Sequence, residues 1–99
     1  MTVAVKLEFR GATLQDYDRI NETIGRLPGA PAPHHELFHF VTGTDDGFFV
    51  VDVWDSRDDF EEFLRDRLQP AFTEVGVAAP PEIRYFEVHS YTAGGRGRG

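Results

Sequence analysis

An α+β fold of element order βαββαβ is predicted by three observations. The stretch Thr2–Arg10 alternates, with Val3, Val5, Leu7 and Phe9 set between Lys6, Glu8 and Arg10. A period of two marks a strand with one buried face. Two later segments carry apolar residues at helical spacing behind a hydroxyl that can cap them. Leu14, Tyr17, Ile20, Ile24 and Leu27 follow Thr13, while Phe60, Phe63, Leu64 and Leu68 follow Ser56. Between the helices, His35–Val41 and Phe48–Trp54 are rich in aromatic and β-branched residues and flank a turn, Gly43-Thr44-Asp45-Asp46-Gly47. The order is that of the split βαβ, ferredoxin-like unit: a four-stranded antiparallel sheet with two helices on one face.

Each element has its own boundary signals. Asp16 and Asp59 stand three residues after Thr13 and Ser56, as a capping box requires. Pro28-Gly29 is expected to stop the first helix, before a proline-rich loop over Ala30–Pro33. Pro70 cannot continue the second helix but suits the first turn of a short new one through Phe72 to Val75, ended by Gly76. Pro80-Pro81 precedes a last strand, Ile83–His89. Residues 1–91 thus form a single domain, and residues 92–99 read as a flexible Gly/Arg tail.

With 99 residues, 40 % hydrophobic and 13 % aromatic, the chain can build one core and not two. A net charge of −7 disfavours nucleic acid and anionic membrane surfaces as partners. The absence of cysteine excludes disulfides and thiolate metal sites. No apolar run approaches a membrane span, and the first residues do not resemble a secretion signal, so a cytoplasmic protein is expected. Gly94–Gly99 has glycines at phosphate-loop-like spacing, but without a strand before or a helix after them the match carries no weight.

The hairpin turn fixes which side chains share a face. A two- or four-residue turn groups Phe38, Phe40, Phe49, Val51 and Val53 on one face and His35, Leu37, His39, Val41, Phe48, Val50, Asp52 and Trp54 on the other. The first face is wholly apolar, so it is expected to lie under the helices together with Val3, Val5, Leu7 and Phe9. Lys6 and Glu8 would then share the second face and pair with each other. That face mixes apolar and ionisable groups, and its exposure would be relieved by packing two sheets together in a homodimer.

Asp46-Gly47-Phe48-Phe49-Val50-Val51-Asp52-Val53-Trp54-Asp55-Ser56-Arg57, then Phe60 and Phe63, is a strand ending in Trp-acid-Ser that directly caps an aromatic-striped helix. With Arg67-Leu68-Gln69-Pro70-Ala71-Phe72, it resembles the dimeric α+β barrel superfamily, and within it the antibiotic biosynthesis monooxygenase-like domains, over roughly residues 2–90. The resemblance implies a homodimeric barrel and a place among cofactor-free oxygenases of polyketide quinone pathways, polyketide cyclases, lactone isomerases and haem-degrading enzymes. It implies that Trp54 lines a substrate cavity. It also implies no haem, because Leu64 stands where the haem-degrading branch has its iron-ligating His.

His39 and Asp52 fall on one face of adjacent strands, close enough for the carboxylate to orient the ring and fix its tautomer. They are the candidate catalytic pair; the alternative is a hydrogen-bonded pair in a dimer seam. Trp54 is either the wall of a cavity for a flat ligand or simply core. His35 lies at the strand start, at the rim of the same face, and His34 has surface parity. On the last strand Tyr85, Glu87 and His89 share a face. If Phe86 and Val88 meet the helices, those three point to the cavity or the dimer seam, with Glu87 and His89 as a second acid–base pair; otherwise they form a solvated edge. His35 and His39 are ~13 Å apart along a strand and cannot grip one ion, so no metal is expected, nor haem or flavin.

The function expected is cofactor-independent oxygenation, or cyclisation or isomerisation, of an aromatic or polyketide-like molecule. His39, held by Asp52, would abstract a proton while the substrate stacks near Trp54. The alternative is a non-catalytic ligand-binding or structural homodimer of the same fold.

Overall fold

The computed structural model describes residues 1–26 and 30–92. The expected helix stop at Pro28-Gly29, the stripe residue Leu27 and the glycine-rich tail from Ala93 onward lie outside the described residues. The order is β1 (Val3–Arg10), α1 (Leu14–Ile24), β2 (Glu36–Thr44), β3 (Gly47–Trp54), α2 (Arg57–Phe63), a π-helical segment (Leu64–Leu68), α3 (Gln69–Val75) and β4 (Glu82–Glu87). The strands form one antiparallel sheet in the order β2-β3-β1-β4, with helices packed on one face. This is the ferredoxin-like fold.

Local chemistry sets the boundaries. At the start of α1 the Thr13 hydroxyl accepts the Asp16 N–H at 3.1 Å, and the Asp16 carboxylate accepts the Thr13 N–H at 3.0 Å. The helix ends at Gly25, earlier than expected, because Gly25 takes a left-handed φ of 79° and Arg26 N–H closes on Asn21 C=O at 2.7 Å. Ser56 caps α2 in the same way as Thr13, through the Asp59 N–H. Pro70 has no N–H to give. The chain accommodates it by widening the preceding turn into a π-helical one, in which Gln69 N–H reaches back to Leu64 C=O. The hairpin closes on the pair Thr44 and Gly47. Gly47 is required there: a Cβ would lie 1.9 Å from the Phe9 carbonyl oxygen.

The parity of the β2–β3 hairpin is the expected one. His39 lies opposite Asp52 and Val41 opposite Val50. The face under the helices is the opposite of the one expected. Val5 pairs with Asp52, Leu7 with Val50 and Phe9 with Phe48, so the buried face of β1 joins the mixed face of β3. Phe48, Val50, Asp52 and Trp54 are buried with Val3, Val5, Leu7, Phe9, Ile20 and Phe60. The wholly apolar set shares the outer face, where Phe38 and Phe40 are exposed, Phe49 and Val51 are half-buried and Val53 is buried; Phe86 of β4 is exposed beside it, the three exposed rings lying between 39 % and 50 %. Lys6 and Glu8 share that outer face but do not pair: Lys6 lies over the Phe49 ring at 4.7 Å, and Glu8 meets Arg10 at 3.6 Å. The physical reason is that a hairpin turn fixes the register of β2 on β3 only. The register of β1 on β3 is set across a helix, by which pairing lets α1, α2 and α3 close over the sheet.

Candidate functional site

His39 stands in the middle of β2 and points toward the helices. Its Nδ1 lies 2.6 Å from Asp52 Oδ1 and its Nε2 lies 2.6 Å from the Tyr17 hydroxyl of α1. An ionised carboxylate only accepts, so the hydrogen-bond network assigns the proton to Nδ1 and leaves Nε2 to accept from Tyr17. The second oxygen of Asp52 accepts the Trp54 indole N–H at 3.3 Å. Trp54 is buried and packs against Phe60 and Phe63 of α2. Burial pushes the Tyr17 hydroxyl above its ordinary pKa, partly offset by Asn21 and Arg26, so it stays protonated at neutral pH.

Glu36 completes the cluster. A bulge at Leu37 separates the pairs Glu36 with Trp54 and Phe38 with Val53, which turns Glu36 inward beside His39. Its Oε1 accepts from the Arg26 guanidinium at 2.5 Å, while Oε2 is buried with no hydrogen bond among the described residues, 3.8 Å from His39 Nδ1. Burial pushes the Glu36 carboxyl up, against the pull of Arg26. Glu36, His39 and Asp52 each offer a ligand-type atom within 4.8 Å of the others, as do His35, Asp55 and Asp59 on the surface. In the inner trio Arg26 supplies positive charge, and the His39–Asp52 hydrogen bond spans two of the three atoms.

Two spaces adjoin the cluster. A small, partly open cavity of about 40 Å³, lined by Tyr17, His39, Asp52, Phe48 and Leu68 among others, has room for water but not for an organic molecule. Beside it a groove of about 490 Å³ is lined by Trp54, Arg26, Phe63, His35 and Arg67 among others, a volume suited to a small organic molecule. Ile24, Arg26 and Phe63 border both spaces.

The other candidates disperse. His35 is exposed on the groove rim, with Nδ1 2.9 Å from Asp55 Oδ2. His34, expected on the surface, is exposed and also lines the groove. Tyr85 shares the inner face but lies beyond β1 from Asp52, because Val5 pairs with both residues. Its hydroxyl donates to Glu61 at 3.1 Å, and the Arg57 guanidinium lies over its ring. Glu87 ends β4 exposed, and His89 falls beyond the strand and is exposed, with no hydrogen bond or ion pair between them among the described residues. The condition that would have aimed these three at a cavity also fails, since Phe86 faces away from the helices. Sequence reasoning missed Tyr17, whose helical spacing reads as core, and Arg26, which follows the helix. It also missed Glu36, whose parity groups it with Phe38 and Phe40 rather than with His39 unless the bulge is known.

The Asp55 hydrogen bond raises the His35 pKa, with Asp59 adding to it. Asp55→Asn is expected to return the His35 midpoint toward its ordinary value in an NMR titration. The interaction stabilises the fold fully below the unfolded-state pKa of about 6.5 and is lost as pH rises through the raised folded value. An unchanged midpoint would refute the pairing.

No protein-family model matches the chain, and no curated protein matches it in sequence. Solved structures do. SnoaB, a cofactor-independent oxygenase from Streptomyces nogalater, is 18 % identical with a TM-score of 0.55, over 91 % of this chain and 93 % of that one. Rv0793 from Mycobacterium tuberculosis is 13 % identical with a TM-score of 0.63, over 94 % of this chain and 100 % of that one. A Deinococcus radiodurans protein classed provisionally as an antibiotic biosynthesis monooxygenase is 13 % identical with a TM-score of 0.57, over 94 % and 97 % of the two chains. At these identities the likeness is one of fold, and it spans nearly the whole chain.

Proposed function

We propose that this chain is a small-molecule enzyme of the antibiotic biosynthesis monooxygenase-like group, working as a homodimer without a cofactor. The observation that carries the proposal is the His39–Asp52 pair, set inside the helix–sheet layer beside a groove walled by Trp54 and Phe63. A flat aromatic or polyketide-like substrate lies in the groove with its acidic edge toward the small cavity. The pair removes a phenolic or enolic proton, and the resulting anion either reacts with O₂ or attacks or isomerises within the substrate. The fold likeness to a cofactor-independent oxygenase supports the oxygenase branch.

The homodimer forms through the outer sheet face. Phe38, Phe40, Phe49 and Phe86 make an apolar surface there that no helix among the described residues covers, the kind of patch that marks an interface.

The test is oxygen uptake with 1,8-dihydroxyanthrone, whose methylene is acidified by two rings and a carbonyl. The methylene becomes a carbonyl, with one atom of O₂ retained and the other leaving as water. Turnover with no added metal, flavin or haem is expected. A second reading, a non-catalytic dimer whose polar groups satisfy one another, draws on the pairing of both His39 nitrogens and on the small size of the inner cavity. Lack of turnover across anthrones, naphthols and enolisable polyketides would favour it.

A further inference from the structure

We infer that Tyr17 is the group that meets the substrate, and that it relays the substrate's proton to His39. The inference rests on the base-catalysis proposal and changes which atom touches the reactant. In the structure His39 has no free ring nitrogen: Asp52 holds Nδ1 and the Tyr17 hydroxyl covers Nε2, both at 2.6 Å. The imidazole side chain is only 18 % exposed, and although both rings border the inner cavity, the Tyr17 hydroxyl covers the one ring nitrogen that could take a proton there.

The geometry is that of a chain, cavity to Tyr17 Oη to His39 Nε2 to Asp52. The Tyr17 and His39 rings lie 14° from parallel, with centroids 6.1 Å apart, and Phe48 packs edge-on against the Tyr17 ring. The groups that act on the Tyr17 hydroxyl are Asn21 from its own helix, Arg26 just after it, His39 and Glu36 from β2, and Asp52 from β3. Asn21 and Arg26 favour a transient phenolate, while burial and the two carboxylates oppose a lasting one. That is the balance a relay needs: a neutral hydroxyl at rest that can pass its proton and regain one in the same step.

The step balances as follows. The Tyr17 O–H bond breaks and its proton bonds to His39 Nε2. The substrate O–H or C–H bond breaks and its proton bonds to Tyr17 Oη. The products are the substrate anion, neutral Tyr17 and a His39 imidazolium held by the Asp52 carboxylate. No electron leaves the substrate in this step.

Two measurements on the full-length protein test the relay. The first needs no substrate. Nitrogen-15 NMR at pH 8 should show His39 protonated at Nδ1 and unprotonated at Nε2, with the Nε2 shift moving on Tyr17→Phe. An Nε2–H tautomer, or a ring protonated at both nitrogens, overturns the relay, because the Tyr17 hydroxyl would then be an acceptor.

The second is turnover of 1,8-dihydroxyanthrone. Tyr17→Phe should lower kcat at least ~100-fold with KM little changed, the range expected for losing an acid–base group. If His39 takes the proton directly, Tyr17→Phe uncovers Nε2 and kcat is kept or raised, which overturns the relay and leaves the base proposal standing. Full turnover by His39→Gln would instead overturn the base proposal and the relay with it. If the wild type does not turn over this substrate, the tautomer alone decides the relay.

Discussion

His39→Gln will abolish turnover while the protein stays folded. General acid–base catalysis contributes about 10²–10⁴-fold, and glutamine cannot take up a proton. The choice of glutamine follows from the surroundings of His39. Asp52 is 3 % exposed, and its Oδ1 depends on His39 Nδ1. Alanine there would strand a buried carboxylate with the Trp54 indole as its remaining side-chain partner among the described residues, and leaving a buried polar group without its partner costs about 1–3 kcal/mol, more when it is charged. A loss of activity in His39→Ala would therefore mix lost chemistry with lost stability. Glutamine can still donate an amide N–H toward Asp52. Circular dichroism and thermal melts should show a folded His39→Gln variant, and oxygen uptake should fall at least ~100-fold. A variant that melts like wild type and keeps full turnover would remove His39 from the mechanism.

Phe40→Glu will convert a dimer into a folded monomer. Phe40 is 41 % exposed on the outer face, where its ring meets Phe38 and Phe49 edge-on with centroids 6.1 Å away in each pair. In a monomer the change is nearly free, because the new carboxylate stays in water. In a dimer through this face, two added carboxylates are desolvated among phenylalanines, and a buried unpaired charge is among the costliest single changes. Sedimentation equilibrium at micromolar protein should give about twice the 11.2 kDa chain mass for the wild type and a single chain mass for the variant. Wild type sedimenting as a clean monomer, or Phe40→Glu remaining a dimer, would reject this face as the interface. Had the mixed face been outermost, as its polar members suggest, the same experiment would have targeted Leu37 or Val50.

Much of the site was legible from parity. A period-two pattern and a short turn are local properties, so the face that His39 and Asp52 share with Trp54 follows from the hairpin, while the structure sets His39 directly opposite Asp52. Tyr17, Glu36 and Arg26 were not legible for separate reasons. Tyr17 sits on the apolar stripe of α1, and spacing cannot distinguish a core ring from one that donates a hydrogen bond. Glu36 reaches the inner face through one unpaired residue, Leu37, and bulges leave no reliable mark in a sequence. Arg26 follows Gly25, where the chain leaves the helix, and its reach to Glu36 depends on the path it then takes.

The sequence by itself determined the elements, their order, the caps at Thr13 and Ser56, and the parity of the hairpin. These depend on interactions within a few residues or across one short turn. Tertiary structure alone decided which sheet face is covered. Both faces of β2 and β3 carry enough apolar residues to serve as core, so composition cannot choose between them. The choice falls to the pairing of β1 with β3, through Val5 on Asp52 and Leu7 on Val50, which are joined only through the intervening helix and hairpin. That pairing buries the ionisable pair with the Tyr17 hydroxyl above it and leaves Phe38, Phe40 and Phe86 exposed on the outer face.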